Sequence, residues 1–157
     1  MNNVITIYTD GGAHNNPGPA GCAAILRYNE HIKELWCFFE HATNNQMELL
    51  AIIMALDSLK KDNLNIQVIT DSSYVKDGIT KWIFAWQKNN WRGSSNKQVK
   101  NLALWQYLLA LTKKHHIEWL WVKGHSGDLY NEKADELVQK AIADKLPILG
   151  QYNHLLT

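Results

Sequence analysis

Four acids in this 157-residue chain stand where they could do chemistry together. Asp10 follows residues 4–9 (VITIYT), a run rich in β-branched residues that reads as a strand, and Asp71 follows a second such run, residues 66–70 (IQVIT). If those strands are parallel neighbours, both carboxylates emerge at one sheet edge, roughly 5 Å apart. Open α/β sheets keep their ligand sites beyond such strand ends. Glu48 and Asp135 fall in the first turns of two predicted helices. Carboxylates that close repel one another, and their ionised forms need compensation. A hard divalent cation supplies it, because Mg²⁺ takes oxygen ligands and is held by a few carboxylates plus substrate phosphate oxygens. Two such ions, about 4 Å apart, can steady both the attacking and the leaving oxygen of a phosphodiester. Each acid also has a plainer reading. Asp10 can be a turn residue before Gly11-Gly12, Asp71 or Ser72 a helix N-cap, Glu48 the end of a capping box from Asn45, and Asp135 one more acid on an exposed helix face. The pattern alone reaches metal-assisted phosphoryl chemistry and stops there.

The elements that must position these acids can be read from periodicity. Residues 22–28 and 34–41 read as two further strands joined near Asn29, after a long turn over residues 11–21 that ends in NPGPAG. With the first strand they make an antiparallel meander. The clearest helix follows. Thr43 or Asn44 can cap it, Thr43 and Gln46 have capping-box spacing, and the apolar residues from Met47 to Leu56 cover so much of its girth that it must be buried on more than one side. It is expected to end near Lys60-Lys61-Asp62-Asn63. Residues 72–114 are helical in pattern, with breaks expected at Gly78 and at Arg92-Gly93-Ser94-Ser95. A fifth strand spans 117–122, a glycine-flanked loop follows, and a last helix spans 131–144; no pattern predicts an element after Pro147. A strand–helix–strand connection crosses over right-handed and makes parallel neighbours. The expected fold is therefore α/β, a five-stranded mixed sheet of three antiparallel strands plus parallel additions, with helices on both faces.

Bulk properties bound the rest. The chain suits one domain over residues 1–157, with a tail from about residue 146. Hydrophobic residues make up 46% and charged residues 20%, which excludes disorder. Cys22 and Cys37 flank the turn near Asn29, can face one another across two strands, and read as buried reduced thiols rather than a zinc site. The N-terminus carries no signal-peptide pattern and no apolar run matches a membrane span, so the expected compartment is the cytoplasm. Charge is unevenly placed: residues 76–100 hold Lys76, Lys81, Lys88, Arg92, Lys97 and Lys100 against Asp77, a local +5 in a chain of net +1, which leaves −4 elsewhere. Such a patch is either a polyanion footprint or a solvated surface helix.

Four separated motifs then resemble one family. Tyr8-Thr9-Asp10-Gly11-Gly12 with residues 16–21 (NPGPAG), Thr43-Asn44-Asn45-Gln46-Met47-Glu48-Leu49, Thr70-Asp71-Ser72 with Tyr74-Val75, and residues 121–127 (WVKGHSG) with Asn131-Glu132 and Ala134-Asp135 are similar, in order and spacing, to the type 1 ribonuclease H family, closest to its bacterial single-domain form. The resemblance spans roughly residues 4–143 and implies endonucleolytic cleavage of the RNA strand of RNA–DNA hybrids, such as replication primers and R-loops, with 5′-phosphate and 3′-hydroxyl products. It implies Asp10, Glu48, Asp71 and Asp135 as ligands of two Mg²⁺ ions, with Mn²⁺ as a substitute, and His125 as the group that moves protons or helps product leave. Asn16, Asn44 and Asn45 would reach into the hybrid minor groove, which displays 2′-hydroxyls and is read by shape. Thr43 would help hold a DNA phosphate. The basic segment 76–100 resembles a substrate-handling protrusion, with Trp82, Lys88 and Arg92 as contacts and Trp86 and Trp91 mostly packing it. Gly12 stands where a serine is common and is expected to loosen the first turn; His41 stands where an arginine often backs the phosphate pocket, and Ser73 where a glutamine is common. The expected partner is the RNA–DNA hybrid alone, with no membrane and no obligate protein partner, the chain acting as a monomer. The alternatives are another nuclease on the same architecture, a non-catalytic hybrid-binding module, and a structural interaction domain.

Overall fold

The computed structural model describes residues 3–124 and 128–156. Five strands, β1 (Val4–Ala13), β2 (Gly18–Tyr28), β3 (His31–Ala42), β4 (Asn65–Thr70) and β5 (His116–Trp121), form one sheet in the order β3-β2-β1-β4-β5. β1 pairs antiparallel with β2, and β2 with β3, whereas β4 lies parallel to both β1 and β5. This is the mixed sheet expected from the element order.

The first hairpin is longer than its glycines suggest. Residues 11–21, expected as one long turn, are mostly ladder: Asp10 pairs with Ala23, Gly11 with Cys22, Gly12 with Gly21 and Ala13 with Ala20. Ladder hydrogen bonds come from the backbone, so glycines on both strands pair without a side-chain signal in the sequence. The reversal is confined to a few residues around Asn15, whose φ is 60°. Asp10 therefore lies inside β1 instead of beyond its end.

Period-2 alternation sends the two sides of the sheet to different helices. Ile7, Cys22, Ala24, Cys37, Ile66 and Val68 pack under α1 (Asn44–Asp57) and α4 (Leu102–Thr112), in one cluster with Leu50, Leu104 and Trp105. Tyr8, Ala23 and Ile25 pack on the other side, under α5 (Leu129–Asp144) through Ala134, Val138 and Ile142. Every residue of α1 from Met47 to Leu56 is buried, as its apolar girth requires. Its capping box forms between Thr43 and Gln46, and it stops at a Ser58 cap, short of the lysines where its end was expected. Cys22 and Cys37 are cross-strand partners, fully buried and unbridged.

Gly78 does not break the helical run. α2 (Ser73–Asp77) passes through a π turn (Gly78–Trp82) into α3 (Ile83–Lys88). A Cβ on Gly78 would sit 2.9 Å from Cζ3 of Trp105 and closer still to other ring atoms, so the glycine admits an indole from α4 and the tertiary contact overrides its poor helix propensity. The break near Arg92 does form, with Asn90, Trp91 and Asn96 at φ values of 52°, 59° and 61°. Beyond Pro147, where no element was expected, Gly150–Leu155 winds into a 3₁₀ turn that buries Tyr152 and Leu155. Its signal is invisible to periodicity because the burial is against residues far along the chain.

Candidate active site

The acids converge because three local features aim them. Asp10 shares its face of β1 with Tyr8, whose ring stacks on Tyr130 of α5 at 5.1 Å. Asp10 therefore faces α5. Glu48 arrives from the opposite side of the sheet. A Cβ on Gly11 would stand 2.6 Å from the Glu48 backbone nitrogen, so the absent side chain lets the first turns of α1 lie directly on β1. The Gly11 N–H then donates to Asp10 Oδ1 at 2.9 Å and to Glu48 Oε1 at 2.7 Å. Asp71 ends β4. Its neighbour Ser72 caps α2 by accepting the Val75 N–H at 3.1 Å, so the cap falls to the serine. From β5 the Trp121 indole donates to the Asp71 backbone carbonyl at 3.1 Å, while the Lys76 ammonium lies 5.0 Å from the centre of that indole ring.

One carboxylate oxygen from each of Asp10, Glu48 and Asp71 lies within 4.8 Å of the others. Asp135, from the second turn of α5, is outside that trio but lines the same hollow of about 110 Å³ as Asp10, Asp71, Gly11, Gly12 and Asn131. The α5 turn that carries it is capped by Asp128, which accepts the N–H groups of Tyr130 and Asn131 at 3.0 and 2.9 Å. The crowding has an electrostatic signature. Burial, then repulsion from Asp71 and Asp135, pushes the Asp10 carboxyl up from 3.8 to about 7, against the pull of the Glu48 and Gly11 hydrogen bonds. Burial first, and Asp10 and Asp71 next, push Glu48 well above the usual carboxylate range.

This donor set fits a hard divalent cation. It is all oxygen, it carries excess negative charge, and Glu48 Oε2 is buried with no hydrogen-bond partner. A buried carboxylate oxygen left without a donor is costly unless something positive meets it. The plainer readings of Asp10 as a turn residue and Glu48 as the partner of Asn45 do not hold, since Asp10 is in a ladder and the capping box belongs to Thr43 and Gln46.

The remaining expected residues fall as follows. His125 lies outside the described residues. Asn16 Oδ1 accepts the Asn44 N–H at 2.8 Å and Asn44 Oδ1 accepts the Ala13 N–H at 2.7 Å, so two of the expected groove readers brace one another at the hairpin tip. Asn45 is exposed beside them. The Thr43 hydroxyl accepts the Gln46 N–H at 3.1 Å. Trp82 is 37% exposed, and a chain of rings runs from it through Trp86 to Trp91 and Trp105, with centroids 5.4–6.2 Å apart. Lys88 and Arg92 are exposed, and Arg92 Nη1 donates to the Asn96 carbonyl at 3.0 Å. The loosening expected at Gly12 is absent: it pairs with Gly21, and a Cβ there would meet only Asn44 Oδ1, at 3.8 Å. Three contributors went unassigned in the sequence. In sequence Gly11 reads as a turn glycine and Trp121 and Asn131 only as parts of motifs, although the buried Asn131 Oδ1 has no hydrogen-bond partner. Two consecutive glycines after a strand-end acid were the available signal for the first; nothing local marks the others.

Comparison with known proteins adds the following. The RNase H family profile matches residues 2–143. A ribonuclease H of Maricaulis maris is 51% identical over 141 residues, covering 90% of this chain and 95% of the relative. A ribonuclease H of Bartonella tribocorum is 53% identical over 140 residues, covering 89% and 90%. Among solved structures, LC9-RNase H1, described as a type 1 RNase H with the type 2 active-site motif, superposes with a TM-score of 0.82 at 28% identity, covering 93% of this chain and 75% of the other.

Proposed function

Since the chain belongs to the type 1 ribonuclease H family, we infer that it hydrolyses the RNA strand of RNA–DNA hybrids at the acidic hollow, leaving 5′-phosphate and 3′-hydroxyl ends. The observation that carries this reading is the trio of Asp10, Glu48 and Asp71 oxygens within 4.8 Å, with the Asp10 and Glu48 carboxyls raised in pKa and Glu48 Oε2 buried without a donor.

Asp10, Glu48 and Asp71 would hold a divalent cation, Mg²⁺ or Mn²⁺ in its place, and Asp135 with Asp10 would hold a second across the hollow. When bound, the two ions supply an activated water and stabilise charge on the attacking and leaving oxygens. The chain does the rest. The Gly11 N–H fixes one oxygen each of Asp10 and Glu48 and leaves the other directions open. The Trp121 indole holds the Asp71 backbone. Asn16 at the hairpin tip, held to the Asn44 N–H, and Asn44 and Asn45 at the start of α1 would meet the wide, shallow groove of a hybrid and its 2′-hydroxyls. Thr43 offers a DNA phosphate its place at the α1 N-terminus, where the helix dipole favours anions. Lys88 and Arg92 add affinity without sequence preference, which must weaken with salt. His125 would move protons or help product leave.

The test is a cleavage assay with each strand separately labelled. The RNA of a hybrid should be cut with Mg²⁺, and duplex DNA, duplex RNA and single-stranded RNA should survive. A contaminant-free sample that leaves the hybrid intact with both Mg²⁺ and Mn²⁺ refutes the reading. A hybrid bound but uncut would point instead to a non-catalytic binding module.

A further inference from the structure

Gln46 joins two parts of the chain that are far apart in sequence. Its Oε1 accepts the Thr43 N–H at 2.9 Å, closing the capping box, and its Nε2 donates to the Leu156 carbonyl, 110 residues away, at 3.2 Å. The far partner is itself well anchored. The Pro147 carbonyl accepts the Phe38 N–H at 2.8 Å, the side chains of Tyr152 and Leu155 are buried, and the Tyr152 hydroxyl donates to Asp57 Oδ2 at 2.8 Å. The Tyr107 hydroxyl donates to the same oxygen at 2.9 Å. Asp57 is the last residue of α1 and Gln46 lies in its first turn, about 16 Å apart along the axis at 1.5 Å per residue. The C-terminal segment is thus strapped along α1, tied down at both ends of the helix.

The near end of that strap carries the residues proposed to meet the hybrid. Gln46 holds Thr43, and the next N–H, that of Asn44, is held by Asn16 Oδ1 at 2.8 Å. A displacement of the Leu156 carbonyl therefore passes through one amide to Thr43, and from there to Asn44 and Asn16. We propose that the C-terminal segment, acting through Gln46, sets the position of the Thr43–Asn44–Asn16 edge and thereby the affinity for the hybrid, Gln46 being a positioning residue that itself touches no substrate. The inference rests on the hybrid-cleavage reading of the same edge.

The Gln46→Glu variant separates the two bonds. A glutamate still accepts the Thr43 N–H, because Glu completes a capping box as well as Gln, but it presents a carboxylate where the Leu156 carbonyl needs a donor. The Tyr152→Phe variant loosens the strap at its other end. KM and kcat for a hybrid, direct hybrid affinity without divalent metal, and Tm are measured for the wild type, both variants and the double variant, at two salt concentrations. Gln46→Glu should raise KM about threefold to tenfold, the effect of losing one hydrogen bond, and lower kcat by less. Tyr152→Phe should raise KM in the same direction, and the double variant should be no worse than the stronger single one, because both act through one path. Additive KM effects that fade with salt would mean that the new charge merely repels the DNA, and would overturn the proposal. So would an unchanged KM in Gln46→Glu with a lowered Tm. A wild type that neither binds nor cuts a hybrid sinks the underlying reading along with the strap, whereas an active wild type with an unaltered Gln46→Glu variant sinks the strap alone.

Discussion

Replacing Asp10 by asparagine should abolish turnover and, without divalent metal, make the protein more stable. The carboxyl is pushed from 3.8 to about 7 by burial and by its acidic neighbours. Between those values the folded protein keeps a proton on Asp10 that the unfolded chain has released. Stability is therefore full below about pH 4, falls as the pH rises through the window, and reaches its minimum contribution above pH 7. A shift of about 3 units at 1.36 kcal/mol each sets a ceiling of about 4 kcal/mol. Asp10 and Glu48 titrate as a pair, so part of that penalty persists on Glu48 when Asp10 is neutralised. About 2 kcal/mol is the expected gain for Asp10→Asn at pH 8 in a chelator, which is a rise of about 4–8 °C in Tm for a chain of this size. The assay is thermal unfolding of both proteins across pH 4 to 8, with and without Mg²⁺. The gain should vanish near pH 4. Saturating Mg²⁺ should stabilise the wild type more at pH 8 than at pH 5 and should do little for the variant. An Asp10→Asn protein that is no more stable than wild type at pH 8, or whose difference ignores pH, would refute the claim that these carboxylates are held against their mutual repulsion.

Three further outcomes follow from the same geometry. Gly11→Ala should destabilise the fold by about 3 kcal/mol and lower activity sharply, because its Cβ meets the backbone of α1, whereas Gly12→Ser should leave Tm within about 2 °C; chemical denaturation of the pair checks both. Trp121→Phe keeps a ring beside Lys76 but loses the donor to the Asp71 carbonyl, so the Mg²⁺ concentration for half-maximal activity should rise about tenfold with little change in Tm; an unchanged metal dependence would remove Trp121 from the site. Charge reversal at Lys88 and Arg92 together should raise KM more than it lowers kcat and flatten the salt dependence of binding, and an unchanged KM at low salt would count against the protrusion as a substrate contact.

Much of this architecture is legible in local pattern. The Thr43–Gln46 capping box, the apolar girth of α1, the cross-strand placement of Cys22 and Cys37 and the parallel pairing that brings Asp10 near Asp71 each follow from side-chain chemistry at short range. What stays hidden depends on partners distant in sequence. Gly78 has the signature of a helix breaker, and only the Trp105 ring explains why the helix runs on through it. Gly11 looks like a turn glycine until α1 is seen resting on it. The ladder through Gly11 and Gly12 is made of backbone alone, so no alternation of side chains announces it. The C-terminal turn has no periodicity of its own and is ordered by Asp57 and Gln46. At the site, residue types suggested the cation chemistry, but the reach of Glu48 across the sheet came from the missing side chain of a different residue.

The most direct examination of the central claim is a Mn²⁺ soak of crystals of the protein, read by anomalous diffraction. Density bounded by the carboxylates of Asp10, Glu48 and Asp71, and lost in Asp10→Asn crystals, is the predicted result. Manganese found only at sites away from these three side chains, with the hollow vacant at saturating metal, would contradict it.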